Sequence, residues 1–133
     1  MRPRSASHLR IARPCRDLAA AERFWVGGLG LEVLYRAGGQ AEGGHPLLMV
    51  GWPDAAWHLE LVGDPGGETP AAPTEEDLLV LYLDDPVDDA VVRRLTDAGG
   101  TRVTSRNPYW DRQGATIADP DGYRLVLSGL SWP

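Results

Sequence analysis

Lysine is absent from this chain. All 13 basic residues are arginine, and 19 acidic residues outnumber them, so the formal net charge is −6 at pH 7. Surfaces that bind nucleic acid need clustered cations against the phosphates. An acidic chain with scattered arginines therefore argues against nucleic-acid binding. The missing lysines predict no function by themselves, although arginine keeps its charge and its planar donor fork even when it is buried.

Cysteine and long apolar runs are scarce as well. The single cysteine, Cys15, has no partner for an internal disulfide. It lies in a loop signal, RPCRD, without a histidine close in sequence, so we expect a structural bystander rather than a nucleophile. No run approaches the roughly 18 apolar residues of a membrane span, and the N-terminal residues lack the apolar core of a signal peptide. The chain is expected to be cytoplasmic, with no membrane partner.

The first half of the chain has the pattern of one small mixed module. Alternation predicts a strand over 8–13, and helical spacing predicts a helix over 17–30 with Asp17 as N-cap and Gly30 just past its end. Leu18, Ala21 and Trp25 share the buried face of that helix. Three further strands are predicted over 31–36, 46–50 and 57–62, separated by turns at 37–45 and 51–56. The order is β-α-β-β-β.

The second half repeats this order. A strand is predicted over 78–83, and a helix over 86–99 follows, with Asp85 as N-cap, Pro86 at its first position and Gly99 near its end. Val87, Val91 and Leu95 recur at helical spacing. Three strand candidates around 101–105, 114–119 and 123–128 complete the unit.

The two halves also align residue by residue, which favours a duplication. A shift of 70 residues places His8 on Leu78 and Gly30 on Gly100. The closing strands match with a smaller shift, which places the segment WHLELVG on YRLVLSG and Glu60 on Val126. The sequence thus predicts one α+β domain over 1–133, with module one at about 7–63, a linker at about 64–77 and module two at about 78–129.

The segments RDLAAAERFWVGGLGLEVL and DPDGYRLVL resemble the vicinal oxygen chelate superfamily, which includes glyoxalase I, bleomycin-resistance proteins and extradiol dioxygenases. The stretch NPYWDRQGATIADPDGY is most similar to an uncharacterised bacterial branch. The resemblance implies that the two modules pair edge to edge into a curved cup, with a ligand inside and the helices outside. It also implies a homodimer, in some members with modules exchanged between the chains.

Strand alternation predicts which side chains face the cup. The residues expected to pack on the helices are Leu9, Ile11, Trp57, Leu59, Leu61, Leu79, Leu81, Leu83, Tyr123, Leu125 and Leu127. The residues expected to face the cup are His8, Arg10, Ala12, His58, Glu60, Leu78, Val80, Tyr82, Arg124 and Val126.

The family resemblance implies up to four metal ligands, at His8, Glu60, Leu78 and Val126. Module one keeps both ligand types and module two has lost both. His58 could complete a two-histidine, one-carboxylate set of the kind that suits ferrous iron. The alternative needs no metal: Glu60 is neutralised by Arg10 and Arg124, and the histidines are ordinary polar strand residues. Both interpretations remain open at this stage.

The loop NPYWDR at 107–112 is the most distinctive segment. Pro108 restricts the chain while Tyr109 and Trp110 offer two flat surfaces. One hypothesis is that these rings and Tyr82 stack on a flat ligand. The other is that Trp110 fills a gap between the modules or supports a dimer contact.

Two functions follow from these patterns. The first is a bleomycin-resistance-type protein that binds a small organic ligand without a cofactor, through Arg10, Tyr82, Tyr109, Trp110, Arg124 and Val126. The second is a glyoxalase-like lyase or a dioxygenase that holds a divalent metal with His8 and Glu60, assisted by His58. Neither function identifies a catalytic residue.

Overall fold

The computed structural model describes residues 1–39 and 44–133, and the predicted turn at 37–45 lies partly outside these residues. Module one contains strands β1 (Leu9–Cys15), β2 (Glu32–Gly38), β3 (Pro46–Gly51) and β4 (Trp57–Gly63). Its helix α1 (Leu18–Glu22) continues as a π-helical segment over Arg23–Gly28.

Module two repeats these elements and contains a short helix between its second and third strands. Its strands are β5 (Leu78–Tyr82), β6 (Thr101–Val103), β7 (Gly114–Ala118) and β8 (Arg124–Ser128). Helix α2 spans Asp89–Asp97, and α3 spans Tyr109–Arg112.

Each module forms its own four-stranded sheet with the same topology. The strand orders are β1-β4-β3-β2 and β5-β8-β7-β6. The first and last strands of each module are parallel neighbours, and the other pairs are antiparallel. The predicted α+β class with two β-α-β-β-β modules is confirmed.

The helix-covered faces of both sheets share one hydrophobic core. Its buried members include Phe24 and Trp25 from the π-helical segment, Leu95 from α2, Leu59 from β4 and Leu125 from β8. Burial of each such side chain contributes roughly 1.5–3 kcal/mol. Because both sheets turn this face toward one core, their opposite faces point away from each other. We call these the first open face, on the sheet of module one, and the second open face, on that of module two.

The modules contact each other through their helices. Gly28 makes this approach possible, since a Cβ at that position would lie 3.0 Å from the Cβ of Ala98. The Nε of Arg94 donates to the carbonyl oxygen of Gly28 at 2.9 Å, and the indole Nε1 of Trp25 donates to Oδ2 of Asp119 at 3.2 Å. In the described residues no strand of one sheet is hydrogen-bonded to a strand of the other. The edge-to-edge cup is therefore not formed within this part of a single chain.

The predicted helix starts are half right. Asp17 caps α1 by accepting from the backbone N–H groups of Ala19 and Ala20. The predicted cap of the second helix is wrong: Asp88 accepts from Ala90 N, so α2 begins at Asp89, and Asp85 and Pro86 precede it. Four aspartates lie near this start, Asp84, Asp85, Asp88 and Asp89. They make the spacing ambiguous in sequence, because aspartate is a good N-cap.

Several local predictions need correction. Leu9 and Leu83 were expected to pack on the helices, but they are 58% and 41% exposed at the ends of edge strands. The segment predicted as a loop at 107–112 contains α3, whose first turn follows Pro108. Cys15 ends β1 rather than lying in a loop, and it is buried. Among the described residues, no helix combines the length and the apolar character that a membrane crossing requires.

Candidate functional site

The first open face carries a connected polar cluster, which we call the Arg10 cluster: His8, Arg10, His58 and Glu60. The Nε of Arg10 donates to Nε2 of His58 at 3.1 Å, and its Nη1 donates to Oε2 of Glu60 at 3.2 Å. The other ring nitrogen of His58, Nδ1, lies 2.6 Å from Nε2 of His8. The four polar side chains that alternation predicts for this face of module one are thus brought together.

The hydrogen-bond pattern determines the tautomer of His58. Arginine only donates, so Nε2 of His58 must accept, and the neutral ring carries its proton on Nδ1. That proton is donated to Nε2 of His8. Burial, reinforced by the neighbouring His8 and Arg10, lowers the pKa of His58 and favours this neutral form.

The cluster does not match the metal site that the family resemblance implies. Nε2 of His58 and Oε2 of Glu60 accept from Arg10, while Nε2 of His8 faces Nδ1 of His58. At the other two implied positions, Leu78 and Val126 have no donor atom. The described residues contain no group of three or more His, Cys, Asp or Glu side chains that could hold a metal ion. The residues present do not fit the family's metal.

The strand registers correct one internal correspondence. Arg10 lies opposite His58 in the β1–β4 pair, and Leu78 lies opposite Arg124 in the β5–β8 pair. Since His58 and Arg124 are equivalent in the closing strands, the structural counterpart of Leu78 is Arg10. The predicted match of Leu78 with His8 is wrong by two residues. A misalignment of two residues leaves every side chain on the same face of the sheet. The alternation of side chains therefore could not reveal the wrong match.

The second open face carries an aromatic cluster, which we call the Tyr82 cluster: Tyr82, Tyr109, Trp110 and Trp132. The ring centroid of Tyr82 lies 6.4 Å from that of Trp110 and 5.8 Å from that of Trp132. Tyr109 and Trp110 form an edge contact at 4.9 Å. Tyr109 is 42% and Trp132 is 76% exposed. Trp132 was not predicted from the sequence, because it lies beyond β8 in a segment without periodicity.

Helix α3 is held on this face by polar contacts beneath it. The carboxylate of Asp111 accepts from the backbone N of Ser105, and the hydroxyl of Ser105 is hydrogen-bonded to that of Thr116. Thr116 lies opposite Val126 in the β7–β8 pair, and both are fully buried. Val126 is therefore fully enclosed by neighbouring residues, and a ligand could contact it only if those residues moved.

Arg124 does not join Glu60, contrary to the expectation. Its Nη2 lies 3.9 Å from Oε1 of Glu75, while its Nη1 is buried without a hydrogen-bond partner among the described residues. The candidate ligand contacts thus divide between two faces. Arg10 lies on the first open face, whereas Tyr82, Tyr109, Trp110, Arg124 and Val126 lie on the second.

A cavity of about 280 Å³ lies elsewhere, where the end of β1, the linker and the turn before β8 meet. It is lined in part by Cys15, Asp64 and Asp121, and by none of the candidate site residues. Burial and the nearby Asp121 raise the pKa of the Cys15 thiol, which leaves it protonated and unreactive near neutral pH.

The duplicated topology and the DPDG turn place the protein in the vicinal oxygen chelate superfamily, with a glyoxalase/bleomycin-resistance-like fold. More narrowly, the chain belongs to the YycE-like family. Residues 9–62 match the model of the YycE-like N-terminal domain, and residues 76–129 match that of the YycE-like C-terminal domain.

Three relatives illustrate this placement. The uncharacterized protein YycE of Bacillus subtilis is 40% identical over 124 residues, which covers 92% of this chain and 87% of the relative. A crystal structure of a B. subtilis YycE protein of unknown function, a suggested glyoxalase/fosfomycin resistance protein, has a TM-score of 0.82 at 37% identity, covering 96% of this chain and 93% of the other. TnmS3, an antibiotic binding protein from Streptomyces sp. CB03234, has a TM-score of 0.65 at 28% identity, covering 97% of this chain and 100% of the other.

Proposed function

We propose that the protein binds a small, flat organic molecule without the family's metal ion. The observation that carries this proposal is the Tyr82 cluster, in which four aromatic rings meet on an outward-facing sheet surface. Partly exposed tyrosine and tryptophan offer large contact areas that lose little rotamer entropy on binding. Structural aromatics are more often enclosed by their own core, so this exposure supports a binding role.

The Arg10 cluster supports the metal-independent part of the proposal. In a metal-dependent member, histidine and carboxylate lone pairs point at the ion. In this chain they accept hydrogen bonds from Arg10 or face each other. In the part of the chain that the structure describes, no group of three or more His, Cys, Asp or Glu side chains supports the alternative of a metal-dependent lyase or dioxygenase. TnmS3, an antibiotic binding protein of similar fold, is consistent with a binding role for this fold.

We also propose that a second copy of the chain completes the site. One chain turns its two open faces away from each other, so a ligand cannot touch the Arg10 cluster and the Tyr82 cluster of the same chain at once. Strands β1 and β5 are both sheet edges, and Leu9 and Leu83 beside them are exposed. Edge pairing of β1 with β5 of a second copy would cover these apolar groups and bring unlike open faces together.

Measurement of the metal content tests the proposal that the protein acts without the family's metal ion. We expect elemental analysis of the purified protein to find far less than one metal ion per chain. We also expect thermal shifts with Zn²⁺, Mn²⁺ or Ni²⁺ to be the same for the wild type and for Glu60→Gln. About one ion per chain, with stabilisation that Glu60→Gln abolishes, would contradict the proposal and favour the enzyme.

Ligand stacking is tested with 1-naphthamide, a flat neutral probe, by isothermal titration calorimetry. Trp110→Leu keeps an apolar side chain but removes the flat surface, and we expect affinity to fall about tenfold, from a stacking contribution of about 1–1.5 kcal/mol. Trp52→Leu is the matched control, because Trp52 packs against Trp57 in module one. Equal losses in both variants, or no loss in Trp110→Leu, would contradict stacking on the Tyr82 cluster.

A further inference from the structure

We infer that Arg10 is the anion-binding group of the site, and that the ligand carries a carboxylate or phosphonate that meets it. This inference rests on the proposed function and specifies the chemical class of its ligand: a flat organic anion.

Arg10 lies at a ligand position of the family pattern. The strand registers make it the counterpart of Leu78, which occupies a ligand position of the family pattern. A fixed guanidinium cation therefore stands where the duplicated framework implied a metal-binding side chain. It contacts His58 and Glu60, two residues that the metal hypothesis required. The positive charge on the first open face is thus supplied by an arginine side chain, where the family pattern would supply it with a metal ion.

The guanidinium of Arg10 has hydrogen-bond donors left over for a ligand. A guanidinium has five N–H groups. In the described residues one donates to His58, one donates to Glu60, and one makes a 3.8 Å contact with the Sδ of Met49. Two N–H groups, one on each terminal nitrogen, thus have no partner among the described residues. The planar fork of arginine matches the paired oxygens of a carboxylate or phosphonate.

Arg10 is also accessible to a ligand from solvent. The side chain of Arg10 is 51% exposed, whereas that of Glu60 is 17% exposed. Glu60 and His58 hold the guanidinium from the sheet side, so an approaching anion meets Arg10 first. Such anchoring reduces the side-chain entropy that a long arginine loses on binding. Arg10 is therefore both oriented and available, which an unpaired surface arginine is not.

The test compares 1-naphthoate with 1-naphthamide, a neutral molecule of nearly the same shape, by isothermal titration calorimetry. We expect the wild type to prefer the anion by about tenfold or more, as a charge-assisted hydrogen bond to a partly solvated arginine predicts. Arg10→Met keeps the length of the side chain and removes its charge, and should abolish the preference. Arg36→Met is the control, because Arg36 lies on the same sheet but pairs with Glu22.

The outcomes separate this inference from the proposed function. Equal affinity of the wild type for both probes, or an anion preference that survives in Arg10→Met, would overturn the role of Arg10 and leave stacking on the Tyr82 cluster intact. A preference that needs Arg10 while Trp110→Leu binds normally would support the inference and contradict the stacking. Failure of both probes to bind the wild type would overturn both.

Discussion

The two sheets have the same topology and bury equivalent leucines in their shared core, but their open faces have little in common. Leu59 and Leu61 in β4 are as fully buried as their counterparts Leu125 and Leu127 in β8. Between them, Glu60 is bonded to Arg10, whereas its counterpart Val126 is buried beside Thr116. Packing against a shared core constrains one face of the sheet in both modules. The open face has no such constraint, and it is polar in module one and aromatic in module two.

Helix α3 is a distinctive feature of module two. It lies over the start of β7, where Gly114 contacts its backbone. A Cβ at Gly114 would lie 2.8 Å from the carbonyl oxygen of Trp110 and would also clash with the carbonyl oxygen of Leu127. At the matching register position of β3, opposite Val62, module one has Leu47. Gly114 thus allows α3, which carries Tyr109 and Trp110, to lie against the sheet of module two.

Matched truncations in the core should have the largest effects, and these should be equal. We expect Leu59→Ala and Leu125→Ala each to lower the free energy of unfolding by about 3 kcal/mol, because each leaves a cavity in the shared core. Urea denaturation of both variants measures this. A loss confined to one of them would show that the modules do not contribute equally to one core.

Gly114→Ala should have the next largest effect. The added methyl group meets two backbone carbonyls that cannot move independently, so we expect a loss of about 2 kcal/mol and displacement of α3. Gly66→Ala is the control, because no atom lies within 4 Å of a Cβ built there. Urea denaturation and near-UV circular dichroism report the two effects. Equal stability of the two variants would mean that α3 is not held against β7.

The open faces should respond unequally to truncation. Val126→Ala should lower the free energy of unfolding by about 1.5 kcal/mol, since it removes two buried methyl groups. Glu60→Ala should lower it by less than about 1 kcal/mol, since it breaks an ion pair whose arginine is half exposed. If Glu60→Ala were the more damaging variant, the Arg10 cluster would be a structural element rather than a binding surface.

The smallest predicted effect is a change of stability with pH at the turn before β8. Asp119 accepts from the backbone N of Asp121 and Tyr123 and from Trp25, yet burial raises its pKa. An acid whose pKa is raised by folding stabilises the protein below its unfolded pKa, about 3.9, and loses that contribution as pH rises through the folded pKa. The wild type should therefore gain stability relative to Asp119→Asn as pH falls from 7 to 4.5. Urea denaturation at both pH values measures this difference, and a change of opposite sign would contradict it.

Periodicity and turn residues were enough to predict the β-α-β-β-β order of each module. Alternation in β4 and β8 correctly separated Leu59 and Leu125 from Glu60 and Val126, because burial of one sheet face enforces a period of two. The N-cap of α2 and helix α3 were missed for local reasons. Several aspartates competed for one cap, and a four-residue helix leaves no periodic signal.

The candidate site was only partly predictable. The contacts of Arg10 with His58 and Glu60 followed from strand pairing, and they lie where alternation placed them. The partner of Arg124 did not follow, because Glu75 lies in a linker without periodicity. Nor could the sequence indicate that the two open faces point apart, since that depends on how the helices of the two modules pack on each other. The roles proposed for these residues remain predictions.

The proposed binding site requires that unlike open faces of two copies of the chain come together. Arg10→Met and Trp110→Leu each impair a different face, so 1-naphthoate binding should be weak in either homodimer. After subunit exchange in an equal mixture, a heterodimer has one site with both defects and one with neither. About a quarter of all sites should then bind with wild-type affinity in calorimetry. No recovery in a mixture that forms heterodimers would contradict the claim.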